Sequence, residues 1–362
     1  MDFGLSQDQV LLKDTIRRFL DAECPTSRVR SVMEGPTGHD PALWQGLVSL
    51  GVTGLAVPAD FGGAGLELLD LALAAEELGY NATPGPFLAS ALAAIAIAEG
   101  GSEAQKKRWL PRLADGTALG TFALGEADGV WAPEDVVVEA RGGKLSGAKA
   151  LVPNGAIADV IVVAARGEKG PGLFLAERAA SGVTAGDYNG VDMTRRLSHL
   201  KFEGTPAEAM PGGLAAAGRT RDAALVLLAA DAYGGCRRML DMTNRYAKQR
   251  EQFGQTIGAF QAVKHQLANL ACELEPSLSL WWYAAHAFDA IRDQSERHAA
   301  LAKSHMTDVY DRFARDTTEL HGGIGFTWEY DLHLWFRRAI YDRSLFGDAT
   351  FQRERAAGLA GW

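Results

Sequence analysis

Arg250 and the residues that follow it carry the most legible chemistry in the chain. The segment Arg245–Leu270 reads RYAKQREQFGQTIGAFQAVKHQLANL, and Gly254 sits where a long helical pattern should receive its C-terminal cap. A guanidinium projecting from such a turn presents a planar fork of donors that suits a bidentate grip on a pyrophosphate. Phe253 adds an aromatic surface, and Gln261 an amide able to bind an adenine edge or a backbone group. A second segment, Glu319–Ala339, reads ELHGGIGFTWEYDLHLWFRRA. Its Gly322, Gly323 and Gly325 could let the backbone approach a phosphate closely. Each segment also has a plainer reading. Arg250 is equally a helix-end cation facing the macrodipole, and the glycines are equally a helix-terminating turn.

The elements that must hold these residues fall into three blocks. Up to about residue 112 the pattern is helical. Ser6 and Gln9 form a capping box ahead of Val10, Leu12, Ile16, Phe19 and Leu20, and further helices fit 41–50, 66–78, 87–99 and 103–113. From about Gly120 the period changes to short β-branched runs (135–139, 159–165, 172–176, 199–202) separated by glycine-rich turns, which predicts a small antiparallel β domain. Beyond a Pro/Gly/Ala link at 211–218 long helices return at 221–250, 257–290 and 297–320, with a kink or break expected at Pro276. Shorter helices fit 332–341 and the tail. The expected domains are 1–117, 118–212 and 213–362.

Composition narrows the function classes. The 362-residue chain is 47% hydrophobic and 22% charged, as for a water-soluble globular protein. Its net charge of −9 leaves no basic excess to displace counterions, so no nucleic-acid partner is expected. Cys24, Cys236 and Cys272 stand in no CxxC or Cys/His spacing. They are read as reduced core thiols of a cytoplasmic protein, and no metal site is expected. The opening MDFGLSQDQVLLKDTIRRF lacks a secretory pattern, and the uncharged stretch 78–98 is broken by Asn81, Pro84, Gly85 and Pro86, so no membrane partner is expected.

Three segments together resemble the acyl-CoA dehydrogenase family. They are the opening helix FGLSQDQVLLKDTIRRF, an R-x-x-F-G-x-x-I-x-x-F-Q signature from Arg250 to Gln261, and a Q-x-x-G-G-x-G-F segment followed by a basic helix. The resemblance covers essentially the whole chain. It implies a mostly α fold with an N-terminal helical domain, a middle antiparallel β domain and a C-terminal four-helix bundle. It also implies FAD as cofactor, an acyl-CoA thioester as substrate and a flavoprotein as electron acceptor. In the family, a carboxylate removes the α-proton while the β-hydrogen leaves as hydride to the flavin. Arg250, Phe253, Gln261, Glu319, Gly322 and Gly323 then correspond to positions that hold the FAD of a neighbouring subunit.

The same resemblance exposes losses. The family's usual catalytic Glu corresponds to Phe346, and the alternative early position on the long helix corresponds to Ala224. Neither side chain accepts a proton. The Thr-Glu-Pro segment beside the flavin ring becomes Gly125-Glu126-Ala127, and Trp-Ile-Thr becomes Leu151-Val152-Pro153. The Thr and Gln after the usual Glu become Asp348 and Thr350, and the Gln opening the Gly-Gly segment becomes Glu319. Losses thus gather on the side of the chain's own flavin ring and spare the side facing a neighbour's. That asymmetry resembles the short partner subunit of heterotetrameric acyl-CoA dehydrogenases of bacterial steroid side-chain degradation. It implies a larger acyl-CoA dehydrogenase subunit in a two-plus-two tetramer, with a homodimer as the other assembly. Asp231 and Asp348 are the weak candidates for a replacement base, and each also reads structurally, as an Arg partner and a helix N-cap. The other readings are a self-sufficient dehydrogenase using one of them, and a non-catalytic, flavin-free acyl-CoA-binding or assembly protein.

Overall fold

The computed structural model describes Gly4–Trp362; Met1–Phe3, and with them the first residue of the opening motif, lie outside the described residues. Six helices come first: α1 (Gln7–Glu23), α2 (Thr26–Glu34), α3 (Pro41–Ser49), α4 (Leu68–Tyr80), α5 (Phe87–Gly100) and α6 (Glu103–Ala114). The middle of the chain carries β1 (Gly120–Ala123), β2 (Glu139–Arg141), β3 (Lys144–Pro153), β4 (Val160–Gly167), β5 (Gly170–Glu177), β6 (Val183–Asp187), β7 (Leu197–Pro206) and β8 (Glu208–Ala209). Helix α7 (Gly213–Gln249) leads into a hairpin of β9 (Glu251–Gln252) and β10 (Gln255–Thr256). The chain closes with α8 (Gln261–Ala290), α9 (Arg292–Leu320), α10 (Leu332–Ser344) and α11 (Ala349–Leu359).

These elements form two compact units, one of residues 28–71 and 84–224, the other of 1–27, 72–83 and 225–362. In the first unit the sheet runs β6-β7-β3-β2-β4-β5-β8, with β1 on β4. The expectation of a purely antiparallel domain needs one correction: β1 and β2 both pair with β4 in parallel, so the sheet is mixed. Strand β4 accordingly reads VIVVAA, apolar on both faces rather than alternating. Its core gathers Val138, Leu145, Ile161, Val163, Leu200 and Phe202.

In the second unit the expected capping box is present, Ser6 Oγ accepting from Gln9 N and Gln9 Oε1 from Ser6 N. Helices α4 and α7 cross at backbone contact. A Cβ on Gly234 would lie 1.9 Å from the Glu76 carbonyl oxygen, and one on Gly79 2.1 Å from that of Asp231. Glycine is required at both because no side chain fits there. The crossing is fastened by Glu76 and Glu77, fully buried, which pair with Lys13, Arg17 and Arg237.

Three further expectations are corrected. Helix α8 continues through Pro276 without a break. Cys272 is exposed, not a core thiol, whereas Cys24 and Cys236 are buried. Gly254 (φ +77°) turns the β9–β10 hairpin, while α7 has already ended at Gln249.

Candidate functional site

The helix-end segments lie in the second unit. Arg250 follows the last residue of α7; its N–H donates to the Tyr246 carbonyl at 2.8 Å, and its own carbonyl accepts from Ile257 N at 2.8 Å. The hairpin is thereby closed on itself, and the Arg250 side chain is left in solvent. Phe253 takes the left-handed conformation (φ +52°) and is 93% exposed, its ring edge-on to Phe260 at 6.2 Å. A bulky residue rarely adopts that backbone conformation, and an exposed ring gains little from it within the chain. Gln261 opens α8, with Phe260 at the cap position and no side-chain cap.

Glu319 and the Gly322–Gly323 turn are exposed at the end of α9. Gly322 has φ +61°, which accounts for glycine there. Gly325 is packed, since a Cβ would lie 2.5 Å from the Thr318 carbonyl oxygen. Gly323 meets neither constraint, because its φ is not positive and nothing lies within 4 Å of a Cβ. The chain itself therefore does not require glycine at 323, which fits a close approach by a group from outside. The two segments are joined by Tyr246, whose hydroxyl donates to the His321 carbonyl at 3.2 Å.

Of the four positions where a base would be sought, Phe346, Ala224 and Asp231 are buried and Asp348 is exposed. Phe346 is buried at φ +56°, in a turn fixed by two donors. Gln352 Nε2 donates to its carbonyl at 2.7 Å, and Lys303 Nζ donates to the carbonyls of Arg343 (2.8 Å) and Gly347. Lys303 is fully buried, and burial pushes its pKa down to about 7 against the pull of Asp342 and Asp348. Ala224 is buried on α7. Asp231 is 1% exposed and ion-paired with the fully buried Arg338 at 3.3 Å; Arg338 also donates to the Thr83 carbonyl. Asp348 is the N-cap of α11, accepting from Phe351 N at 2.8 Å. Both carboxylates are thus engaged in holding the fold.

In the first unit, Gly125-Glu126-Ala127 and Leu151-Val152-Pro153 do come together. Ala150 N donates to the Gly125 carbonyl at 2.9 Å, and Leu151 sits at a bulge with φ +53°. The space beside Gly125 is filled, however. A Cβ there would lie 2.7 Å from Trp131 Cζ3 and 2.8 Å from the Ala150 carbonyl oxygen. The indole of Trp131 and the strand β3 backbone leave no room for a threonine at 125. Glu126 is consumed as well: it accepts from Val137 N (3.0 Å), Val138 N (3.1 Å) and Lys149 Nζ (2.6 Å). Lys149 is fully buried, and burial lowers its pKa to about 8 while Glu126 acts the other way. Trp131, Lys149 and Lys303 were absent from the sequence reading. Only the position of Lys149, two residues before Leu-Val-Pro, hinted at a role.

Comparison with known proteins decides the family. Residues 6–117 match the model of the acyl-CoA dehydrogenase N-terminal domain, and 212–358 that of the C-terminal domain. The chain belongs to the acyl-CoA dehydrogenase family. These are oxidoreductases acting on CH–CH groups, and the family reaction is FAD-dependent dehydrogenation of acyl-CoA thioesters. Acyl-CoA dehydrogenase IpdE2 of Mycolicibacterium smegmatis is 33% identical over 352 residues, 97% of this chain and 98% of that protein. Among solved structures, the steroid ACAD Tcur3481-Tcur3483 superposes with a TM-score of 0.92 at 33% identity, over 98% of each chain. The ChsE4-ChsE5 complex of Mycobacterium tuberculosis gives 0.92 at 26% identity, over 100% of this chain and 99% of that one. Among the described residues no helix is long and apolar enough to cross a membrane.

Proposed function

We propose that this chain is the base-lacking partner subunit of an FAD-dependent acyl-CoA dehydrogenase whose catalytic carboxylate comes from a larger subunit. The observation that carries the reading is the closed space beside Gly125, where Trp131 stands in the way of the residue that touches a flavin ring in the family. Phe346 and Ala224 at the two base positions support it independently. Arg250, Phe253, Gln261, Glu319, Gly322 and Gly323 are read as the clamp on the partner subunit's FAD. Arg250 would grip the pyrophosphate, Gly323 would admit it to the backbone, and Phe253 would cover the adenine end. The carboxylate of Glu319 repels a phosphate, so it is the weakest member of the clamp.

When bound, FAD supplies the hydride acceptor for the β-hydrogen of the thioester. What this chain's own residues contribute is an anchored clamp and a buried, aromatic turn at 345–347 that excludes water. The resemblance to steroid-type relatives and to the Tcur3481-Tcur3483 and ChsE4-ChsE5 structures favours a two-plus-two tetramer acting on a steroid side-chain or fatty acyl-CoA in the cytoplasm, with a flavoprotein as electron acceptor. The working domain division is 1–117, 118–212 and 213–362.

The test is the visible absorbance spectrum of the chain purified alone and co-expressed with a larger family member. Flavin absorbance only with the larger subunit is expected. Flavin and turnover from this chain alone would overturn the proposal.

A further inference from the structure

Tyr246 lies one helical turn before Arg250, and His321 immediately precedes Gly322. Their rings stack, with centroids 4.5 Å apart and planes 29° from parallel. The Tyr246 hydroxyl reaches past the ring to the His321 carbonyl at 3.2 Å. The imidazole is itself fixed at both nitrogens. Nδ1 lies 2.7 Å from the Thr317 carbonyl, which can only accept, so Nδ1 carries the proton. Nε2 is then the acceptor for the Tyr330 hydroxyl at 3.1 Å. Tyr330 closes the group by meeting both other rings, at 4.9 Å and 6.2 Å. Burial favours the neutral imidazole that this arrangement needs, against a smaller opposing effect of the Thr317 contact. Three rings, from the end of α7, the end of α9 and the loop before α10, thus hold one another where both candidate clamp segments begin.

We infer that Tyr246, His321 and Tyr330 are positioning residues that lock the Gly322–Gly323 turn to the Arg250 helix end, making the two segments one preformed anion-binding surface. The inference rests on the reading of those segments as a pyrophosphate clamp. Exposed turns rich in glycine lose much freedom when they grip a ligand, and fixing them beforehand removes that cost from binding. None of the three side chains need touch the ligand for this to operate.

The experiment pairs two readouts across Tyr246→Leu, Tyr246→Phe and Arg250→Ala. Hydrogen exchange of the chain alone reports the lock without any flavin. Tyr246→Leu should speed exchange at residues 322–326 roughly tenfold, leaving the middle of α9 unchanged, while Tyr246→Phe keeps the stack and stays within about threefold. Flavin affinity of the complex with the larger subunit reports the consequence. Tyr246→Leu should weaken it roughly tenfold, Tyr246→Phe should restore most of that, and Tyr246→Leu combined with Arg250→Ala should lose less than the two losses multiplied. Unchanged exchange at 322–326 would show that no lock exists. Faster exchange with unaltered flavin affinity, while Arg250→Ala lowers it, would reject the positioning role alone. If Arg250→Ala also leaves affinity unaltered, the clamp reading falls and this inference with it. Should Tyr246→Leu disturb α9 broadly, His321→Gln, which keeps a donor but loses the stack, decides by the same two readouts.

Discussion

At the residue scale, what separates a functional charge from a structural one here is whether the fold has already used it. Arg250 is spent on nothing within the chain, since its backbone closes the hairpin and its side chain stands in solvent. Arg250→Ala should therefore leave the melting temperature unchanged and lower flavin affinity of the complex roughly ten- to a hundredfold, the worth of about 1.5–3 kcal/mol for a charge-assisted contact. Titration of the apo complex with FAD measures it, and unaltered affinity would remove Arg250 from the clamp. Asp231 is the opposite case. Asp231→Asn removes the negative charge paired with the fully buried Arg338 and should cost about 3–5 kcal/mol of stability by denaturant unfolding. Asp348→Asn keeps an oxygen at the N-cap and should cost only a few tenths of a kcal/mol by the same measurement. Where the complex assembles with flavin bound, both should retain turnover within a few-fold. Loss of turnover in Asp348→Asn with flavin retained would make that residue the base.

At the element scale, local signals were legible and non-local ones were not. Ser6 and Gln9 announce the start of α1 because a capping box is written within four residues. Pro276 misled, for its missing N–H leaves the Cys272 carbonyl without a helical partner, yet both residues face solvent, where water can serve that carbonyl. Strand β3 was passed over because Lys149 and Gly147 disguise it, and only the pairing of Lys149 with Glu126 explains a lysine there. The Phe346 and Ala224 substitutions were readable by position, but that Lys303 pins the 345–347 turn required the packing of α9 beneath it. That lysine makes a testable contribution to the pH dependence of stability. Its pKa falls from 10.5 in the unfolded chain to about 7 in the fold. Between those values the unfolded chain holds a proton that the native chain lacks, so this group makes stability rise with pH from about 7 to 10.5 and contributes no slope below. The change in denaturant midpoint from pH 7 to pH 9 should be less positive in Lys303→Met than in the parent, with Lys149 contributing equally to both. An identical difference would mean that Lys303 does not titrate in this range.

At the scale of the whole molecule, the three-block order of helices, strands and helices was visible as a change of hydrophobic period, and the family models match the helical blocks at both ends. Glycine at 125 was readable by position, but not the Trp131 indole that fills the space beside it, because that indole comes from a loop with no regular pattern. Leu280 and Tyr283 of α8 are exposed, as are Phe253, Phe326 and Trp328. Such apolar surface is expected to be covered by another subunit. Sedimentation at micromolar concentration should give a dimer, or a two-plus-two tetramer with the larger subunit, and a monomer under both conditions would contradict it.

The most direct test of the account is the flavin stoichiometry of the purified complex. A pair of unlike subunits offers two arrangements, each with a ring cradle from one chain and a clamp from the other. If this chain's cradle is closed by Trp131 while its clamp is intact, the complex holds one FAD per pair and none when this chain is purified alone. Flavin extraction against amino-acid analysis gives the ratio. Two FAD per pair, or a stoichiometric flavin on this chain by itself, would contradict the account.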